Sequence, residues 1–214
     1  MEKPRVFADL GVVLNVNAGT SAWNYLIADL KEQEINPIDV STAHATLIDT
    51  DEIEFEITSA KDLEAVNQAR LAANEYLTSL CVQREVLTPA HERVKPFCFN
   101  RRRVGIIIAE QDLLSDLRSD LTDIYREEAG IVVDNKRDPY IGHVTLGSKT
   151  TEFRARMKTE QGAGLVLPAS PKLFVVTGFK VAEKVLEVVH PPKKPSNDLP
   201  PKYYNNPASL RRAS

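Results

Sequence analysis

The chain has 214 residues, 43% hydrophobic and 27% charged, enough apolar side chain for one sizeable core and unlike a disordered or collagen-like composition. A net charge of −3 argues against a protein that coats long nucleic acid, whose affinity comes from many neutralised phosphates, but is compatible with a small anionic substrate. No apolar run approaches the roughly 20 residues that span a bilayer, the opening MEKPRVFADL lacks a signal-peptide pattern, and two cysteines make no disulfide framework, so a cytoplasmic protein with no membrane partner is expected.

Residues 11–17 read as a buried strand. Thr20 or Ser21 can cap the helix that follows, in which Trp23, Leu26, Ile27 and Leu30 share a face. Next comes His44-Ala45-Thr46-Leu47. A strand places side chains i and i+2 on one face, so this segment offers an imidazole beside a hydroxyl while Ala45 and Leu47 point the other way. In residues 52–58, Ile53, Phe55 and Ile57 alternate with glutamates, predicting a half-buried strand. Ser59 with Asp62 three residues on caps a helix whose Leu63, Val66, Arg70, Ala73, Leu77 and Leu80 form a largely apolar stripe.

Residues 85–100 hold two strand pieces, Val86-Leu87 and Phe97-Cys98-Phe99, around a loop with His91. Cys81 and Cys98 read as small buried hydrophobes. Arg101-Arg102-Arg103 precedes an apolar strand at residues 104–109. Such a triplet is either the solvated start of a strand or the rim of a phosphate-binding cleft. Residues 111–129 carry Leu113, Leu114, Leu117, Leu121, Ile124 and Tyr125 at helical spacing, and Gly130 can close that helix in a left-handed conformation.

His143-Val144-Thr145-Leu146 then repeats the first motif. Beyond it, residues 150–159 suggest a short helix, 161–164 a turn, and 165–167, 173–181 and 185–189 strands. After His190 the Pro-, Asn- and Ser-rich sequence reads as an irregular tail that could lie on the body through Tyr203 and Tyr204. Strand, helix and His-x-Thr strand thus occur twice. Residues 1–190 are expected to form a single bilobed domain, with lobes at about 9–85 and 97–189 that could exchange strands, followed by a tail at 191–214.

The chain has four histidines, and two stand in the same motif. An imidazole titrates near neutrality, so one ring can take a proton while another gives one. Phosphodiester cleavage needs that division: a base activates water or a ribose hydroxyl, and an acid protonates the departing oxygen. Thr46 and Thr145 could donate to non-bridging phosphoryl oxygens. Two bland readings stand beside this one. Each His-x-Thr could be a satisfied polar pair inside a strand, or the histidines could join Asp49 and Asp51 at a metal. For the metal there is no His-Glu-x-x-His and no Cys/His cluster. No cofactor is expected, and His91 and His190 read as surface residues.

Two His-x-Thr-hydrophobic motifs about a hundred residues apart, set in the same repeated order, resemble the two-histidine phosphoesterases. That superfamily includes the bacterial and archaeal 2'-5' RNA ligase-like proteins and the cyclic nucleotide phosphodiesterases. The resemblance covers roughly residues 9–185. It implies an α+β, bilobed, duplicated fold in which two mainly antiparallel sheets with outer helices surround a central cleft. It also implies that His44, Thr46, His143 and Thr145 carry a metal-independent hydrolysis of 2',3'-cyclic phosphates or of 2'-5' and 3'-5' bonds in RNA ends or short nucleotides. A reaction leaving a 2'-phosphate would use His143 as base and His44 as acid, and reversing the substrate swaps the roles.

Gly142 stands where the family often has proline, and Ile48-Asp49 replaces an apolar or aromatic continuation. Both departures leave the substrate open. Tyr140 could stack a base or pack in the cleft wall, and Lys149 and Arg103 could meet a phosphate or face solvent. The expected partner is an RNA end or small nucleotide, and the expected state a monomer. A phosphodiesterase of cyclic or 2'-5' linked signalling oligonucleotides, or a non-catalytic RNA- or nucleotide-binding module, are the competing functions.

Overall fold

The computed structural model describes residues 5–90, 103–134, 140–153 and 172–183, and the backbone of 185–188. Its elements in chain order are β1 (Arg5–Ala8), β2 (Val12–Asn17), α1 (Thr20–Glu32), β3 (Ile35–Pro37), β4 (His44–Ile48), α2 (Ala60–Ser79), β5 (Val86–Leu87), β6 (Arg103–Ile107), α3 (Gln111–Ala129), β7 (His143–Lys149), β8 (Phe174–Val181) and β9 (Val185–Val188). The fold is α+β, and the named strands pair only antiparallel. β1 and β9 form a separate two-stranded ribbon. The other seven make one sheet in which β3 and β6 both pair with β7, and β4, β2, β8 and β5 follow in order.

The two motif strands meet at one bridge, Ala45 opposite Val144. This seam divides the sheet into β4-β2-β8-β5 on one side and β3-β7-β6 on the other. Each part includes a strand from the other half of the sequence, since β8 lies on β2 and β3 lies on β7.

Alternation sends one face of the whole sheet into the core. Leu14, Ala45, Val144 and Ile106 are successive partners across four strands, and none is more than 1% exposed. Leu14, Val144 and Ile106 each contribute about 1.5–3 kcal/mol by this burial. Trp23 of α1 packs its ring against Phe174 on this face, with centroids 5.8 Å apart. α2 and α3 pack on one another, and reach β8 and β4 respectively, through Val66, Ala69, Ala73 and Leu77 of α2 and Leu114, Leu117, Leu121 and Tyr125 of α3.

The caps show how local chemistry sets these helices. Ser59 Oγ accepts from Asp62 N at 3.2 Å while Asp62 accepts from Ser59 N at 2.9 Å, the reciprocal cap that the spacing predicts. Hydrogen bonds from Thr58 and Ser59 hold the Asp62 carboxyl below its usual range, the Thr58 hydroxyl contributing most. α3 ends at Gly130 with φ 62°, as expected. α1 starts differently: Gly19 is the N-cap at φ 81°, and neither Thr20 nor Ser21 caps. Asn17 Oδ1 accepts from Gly19 N and from the Trp23 indole, at 2.8 and 3.1 Å.

Three further expectations need correction. Residues 52–58 form no strand. They make isolated bridges only, Ile53 with Val133 and Glu56 with Phe7, because Glu52 turns back to accept from Asp49 N at 2.9 Å and draws residues 50–52 into a 3-10 turn. Cys81 is exposed, not buried. It follows the end of α2 with φ 51°, where the chain reverses and its side chain is carried outward. Leu63 of α2 and Leu80, its C-cap, are exposed, so the buried stripe is narrower and shorter than the sequence suggests. Arg101, Arg102, the 97–99 and 165–167 strands, the 161–164 turn, His91, Cys98, His190 and the 191–214 tail lie outside the described residues. Of the 150–159 helix only residues 151–153 are described as helical.

Gly147 shows how closely β3 sits on β7. A Cβ there would lie 2.5 Å from the Asn36 carbonyl oxygen and 2.8 Å from Ile35 Cγ2, and a backbone atom cannot swing aside as a side chain can. Gly147→Ala is expected to lower stability by about 1–3 kcal/mol in urea unfolding. An unchanged midpoint would show that β3 yields freely.

Candidate active site

The strand register translates into rows across the open face of the sheet. Lys180 is opposite Val13 and Val13 opposite Thr46; Gly178 is opposite Asn15 and Asn15 opposite His44. Counting from the Ala45–Val144 bridge sets Thr46 opposite His143 and His44 opposite Thr145. Ile107 and Gly105 continue these rows on β6. The rows are therefore Lys180–Val13–Thr46–His143–Ile107 and Gly178–Asn15–His44–Thr145–Gly105. The histidines stand on a diagonal, roughly 7–8 Å apart for such a pair. Each faces the threonine of the other motif.

Both imidazoles are held in the same way. His44 Nδ1 is 2.7 Å from the Thr42 carbonyl and His143 Nδ1 is 2.9 Å from the Ile141 carbonyl, each two residues upstream. A carbonyl only accepts, so Nδ1 carries the hydrogen in each ring and Nε2 is the acceptor nitrogen of the neutral imidazole. The Thr42 carbonyl is fixed in turn by the 3-10 turn of residues 40–42, closed by Thr42 N on Asp39 O at 2.9 Å. The Asp39 carboxylate accepts from the Ser41 backbone N–H and from its hydroxyl, at 2.9 and 2.8 Å. These bonds, the backbone one foremost, hold its pKa below the ordinary value.

On the core side, β4 is gripped by a buried network. Arg118 of α3 donates from Nη1 to the Leu47 carbonyl at 2.7 Å and to Glu52 Oε2 at 2.9 Å, and from Nη2 to Glu52 Oε1 at 3.1 Å. Glu52 and Arg118 are 1% and 7% exposed. Tyr140 donates its hydroxyl to the Thr46 carbonyl at 2.7 Å, and the Arg118 guanidinium lies 5.2 Å from the centre of its ring. The network thus ties the first motif to α3 and to the segment that leads into the second.

Gln111 anchors the other strand. Its amide donates to the Gly142 carbonyl at 2.9 Å and accepts from Gly142 N at 2.7 Å. This accounts for glycine immediately before His143: proline would lack that N–H, and any Cβ would meet Leu114 Cδ1 at 2.3 Å.

A cleft of about 520 Å³ opens on this face, with His44, Thr46, Asn15, Arg103, Lys180 and Asp49 among its lining. His143 and Thr145 are not part of that lining. His143 is 5% exposed and lies one strand to the side on the same face. Arg103 of the basic triplet reaches the cleft. Lys149 does not: it is six positions beyond His143 on β7, about 20 Å along the strand. Tyr140 is half-buried in the network just described. Asn15 and Lys180 escaped the sequence reading. Their signal was a polar side chain on the open face of a largely apolar strand. Among the described residues no group of three or more His, Cys, Asp or Glu converges, and no helix is long and apolar enough to cross a membrane.

No protein-family model and no curated protein sequence matches the chain. Solved structures do. The MHV ns2 PDE domain is 13% identical with a TM-score of 0.45, over 87% of this chain and 99% of that one. E. coli LigT complexed with 3'-AMP is 15% identical with a TM-score of 0.41, over 88% and 100%. A conserved protein of unknown function from Agrobacterium tumefaciens is 13% identical with a TM-score of 0.41, over 87% and 86%. A PDE domain and LigT are thus among its structural neighbours.

Proposed function

We propose that this chain is a metal-independent phosphodiesterase that hydrolyses 2',3'-cyclic phosphates, or 2'-5' or 3'-5' phosphodiester bonds, in RNA ends or short nucleotides. The observation behind this reading is the crossed pair on β4 and β7: two imidazoles of like tautomer on a diagonal, each opposite a threonine. A phosphoryl group over that diagonal meets a proton acceptor on one side and a donor on the other.

One neutral Nε2 takes a proton from the attacking water as the new O–P bond forms. The other ring, protonated at Nε2, gives its proton to the leaving oxygen as the old P–O bond breaks. One proton is gained and one lost, so the pair ends with its charge states exchanged and is reset through solvent. The Thr46 and Thr145 hydroxyls donate to non-bridging oxygens, where negative charge builds. Under the resemblance to two-histidine phosphoesterases, His143 is the base and His44 the acid when the product is a 2'-phosphate.

The test is turnover of a panel of 2',3'-cyclic nucleotides and of 2'-5' and 3'-5' dinucleotides, with and without EDTA. At least one substrate is expected to be cleaved equally well in EDTA. Its kcat/KM should be bell-shaped in pH, because one ring must be neutral while the other is charged. Tight nucleotide binding with no product after long incubation would replace the enzyme with a binding module.

A further inference from the structure

Two cations on the open face have no part in the proton transfers. Lys180 begins the row that runs through Val13 to Thr46 and His143, two strand spacings or about 9–10 Å from Thr46. Arg103 lies beyond Gly105 on β6, opposite Ser148, on the other side of the motif pair. Both line the cleft.

Among the described residues neither has a carboxylate partner, whereas Arg5, Arg118 and Arg126 pair with Glu56, Glu52 and Asp123. The carboxylate in the cleft lining, Asp49, stands at the N-cap of the 3-10 turn at residues 50–52. Among the described residues, a chain of net charge −3 thus keeps one cation without an ion-pair partner on either flank of its histidines. Beside Lys180, Gly178 keeps a lane clear toward Asn15 and His44. A Cβ there would meet nothing closer than Asn15 Nδ2 at 4.0 Å, and the backbone is not in the left-handed region that would call for glycine.

We propose that Lys180 holds a second, non-reacting phosphate of the substrate, so that the site selects short oligonucleotides bearing a phosphate next to the scissile group over substrates that lack one. The proposal rests on the phosphodiesterase reading. An ammonium on a four-carbon stem is a mobile point charge, able to follow a phosphate through more than one pose. The clear lane gives the intervening sugar a path between that phosphate and the histidine diagonal.

The test compares dinucleotides of one linkage that differ only in a terminal phosphate, at the 5' end in one pair and the 3' end in another. Wild type, Lys180→Ala and Lys180→Arg are assayed on each. Wild-type kcat/KM is expected to favour one phosphorylated substrate by about tenfold or more, the scale of a hydrogen bond to a charged group. Lys180→Ala should lose at least that factor more on the phosphorylated member than on its partner, through KM, and Lys180→Arg should recover most of it. A wild type without preference in either pair, or equal losses on both members, overturns the subsite and leaves the phosphodiesterase reading intact. A wild type that turns over nothing removes that reading, and binding then decides the subsite. Tighter binding of adenosine 3',5'-bisphosphate than of 3'-AMP, abolished in Lys180→Ala, upholds it, and equal affinities reject it.

Discussion

Replacing His44 with alanine is expected to lower kcat by about 10²–10⁴, the range contributed by a positioned general acid or base, and His143→Ala by a similar factor. The two losses should not multiply. The two proton transfers serve one displacement, so losing either ring disables the same step, and residues that act as a unit show strongly non-additive losses. The double variant should therefore sit near the weaker single one. His44→Ala is the cleaner experiment, because His44 lies in the cleft lining whereas His143 is 5% exposed and its removal also empties packed space. Each single variant should also lose one limb of the bell-shaped pH profile. A folded double variant with full activity would remove the acid/base scheme altogether.

The largest effect on stability should come from Arg118. Its truncation strands the Glu52 carboxylate, 1% exposed, in the core and takes a donor from the Leu47 carbonyl. Breaking a buried pair from one side costs about 3–5 kcal/mol, against a whole-domain stability of about 5–15 kcal/mol. Arg118→Met is therefore expected to shift the urea midpoint sharply downward. Adding Glu52→Gln should recover a large part of the loss, since the amide oxygen can still accept from Asp49 N and no charge is left buried. If Arg118→Met unfolds at the wild-type midpoint, the pair is not what holds β4 to α3.

Short-range chemistry was legible in the sequence. The Ser59/Asp62 cap, the Gly130 terminus and the alternation of His44–Leu47 and His143–Leu146 need only a few neighbouring residues to be read. Partner choice was not. Alternation tells which face a side chain takes but not which strand lies beside it, so the pairing of β3 with β7 and of β8 with β2 had no local signature. Residues 52–58 alternate as a strand does and keep Ile53 inside, yet lack a continuous partner. Lys180 and Asn15 become site residues only once β8 and β2 are laid beside β4. Arg118 does carry a local signal: it falls four residues after Leu114 and three before Leu121, on the buried stripe of α3. An arginine in that position calls for an acid opposite.

The repeated motif could suggest two half-proteins, each complete with its own histidine. The exchanged strands deny that independence. β8 closes the wall that holds His44 although it comes from the far end of the chain, and β3 flanks the wall that holds His143 although it comes from the near end. Neither half of the sequence carries a finished setting for its own imidazole, and a cut between the halves would leave two fragments still laced through one another. The repeated motif therefore does not mark two spare copies of one device: the settings of the two imidazoles form together or not at all.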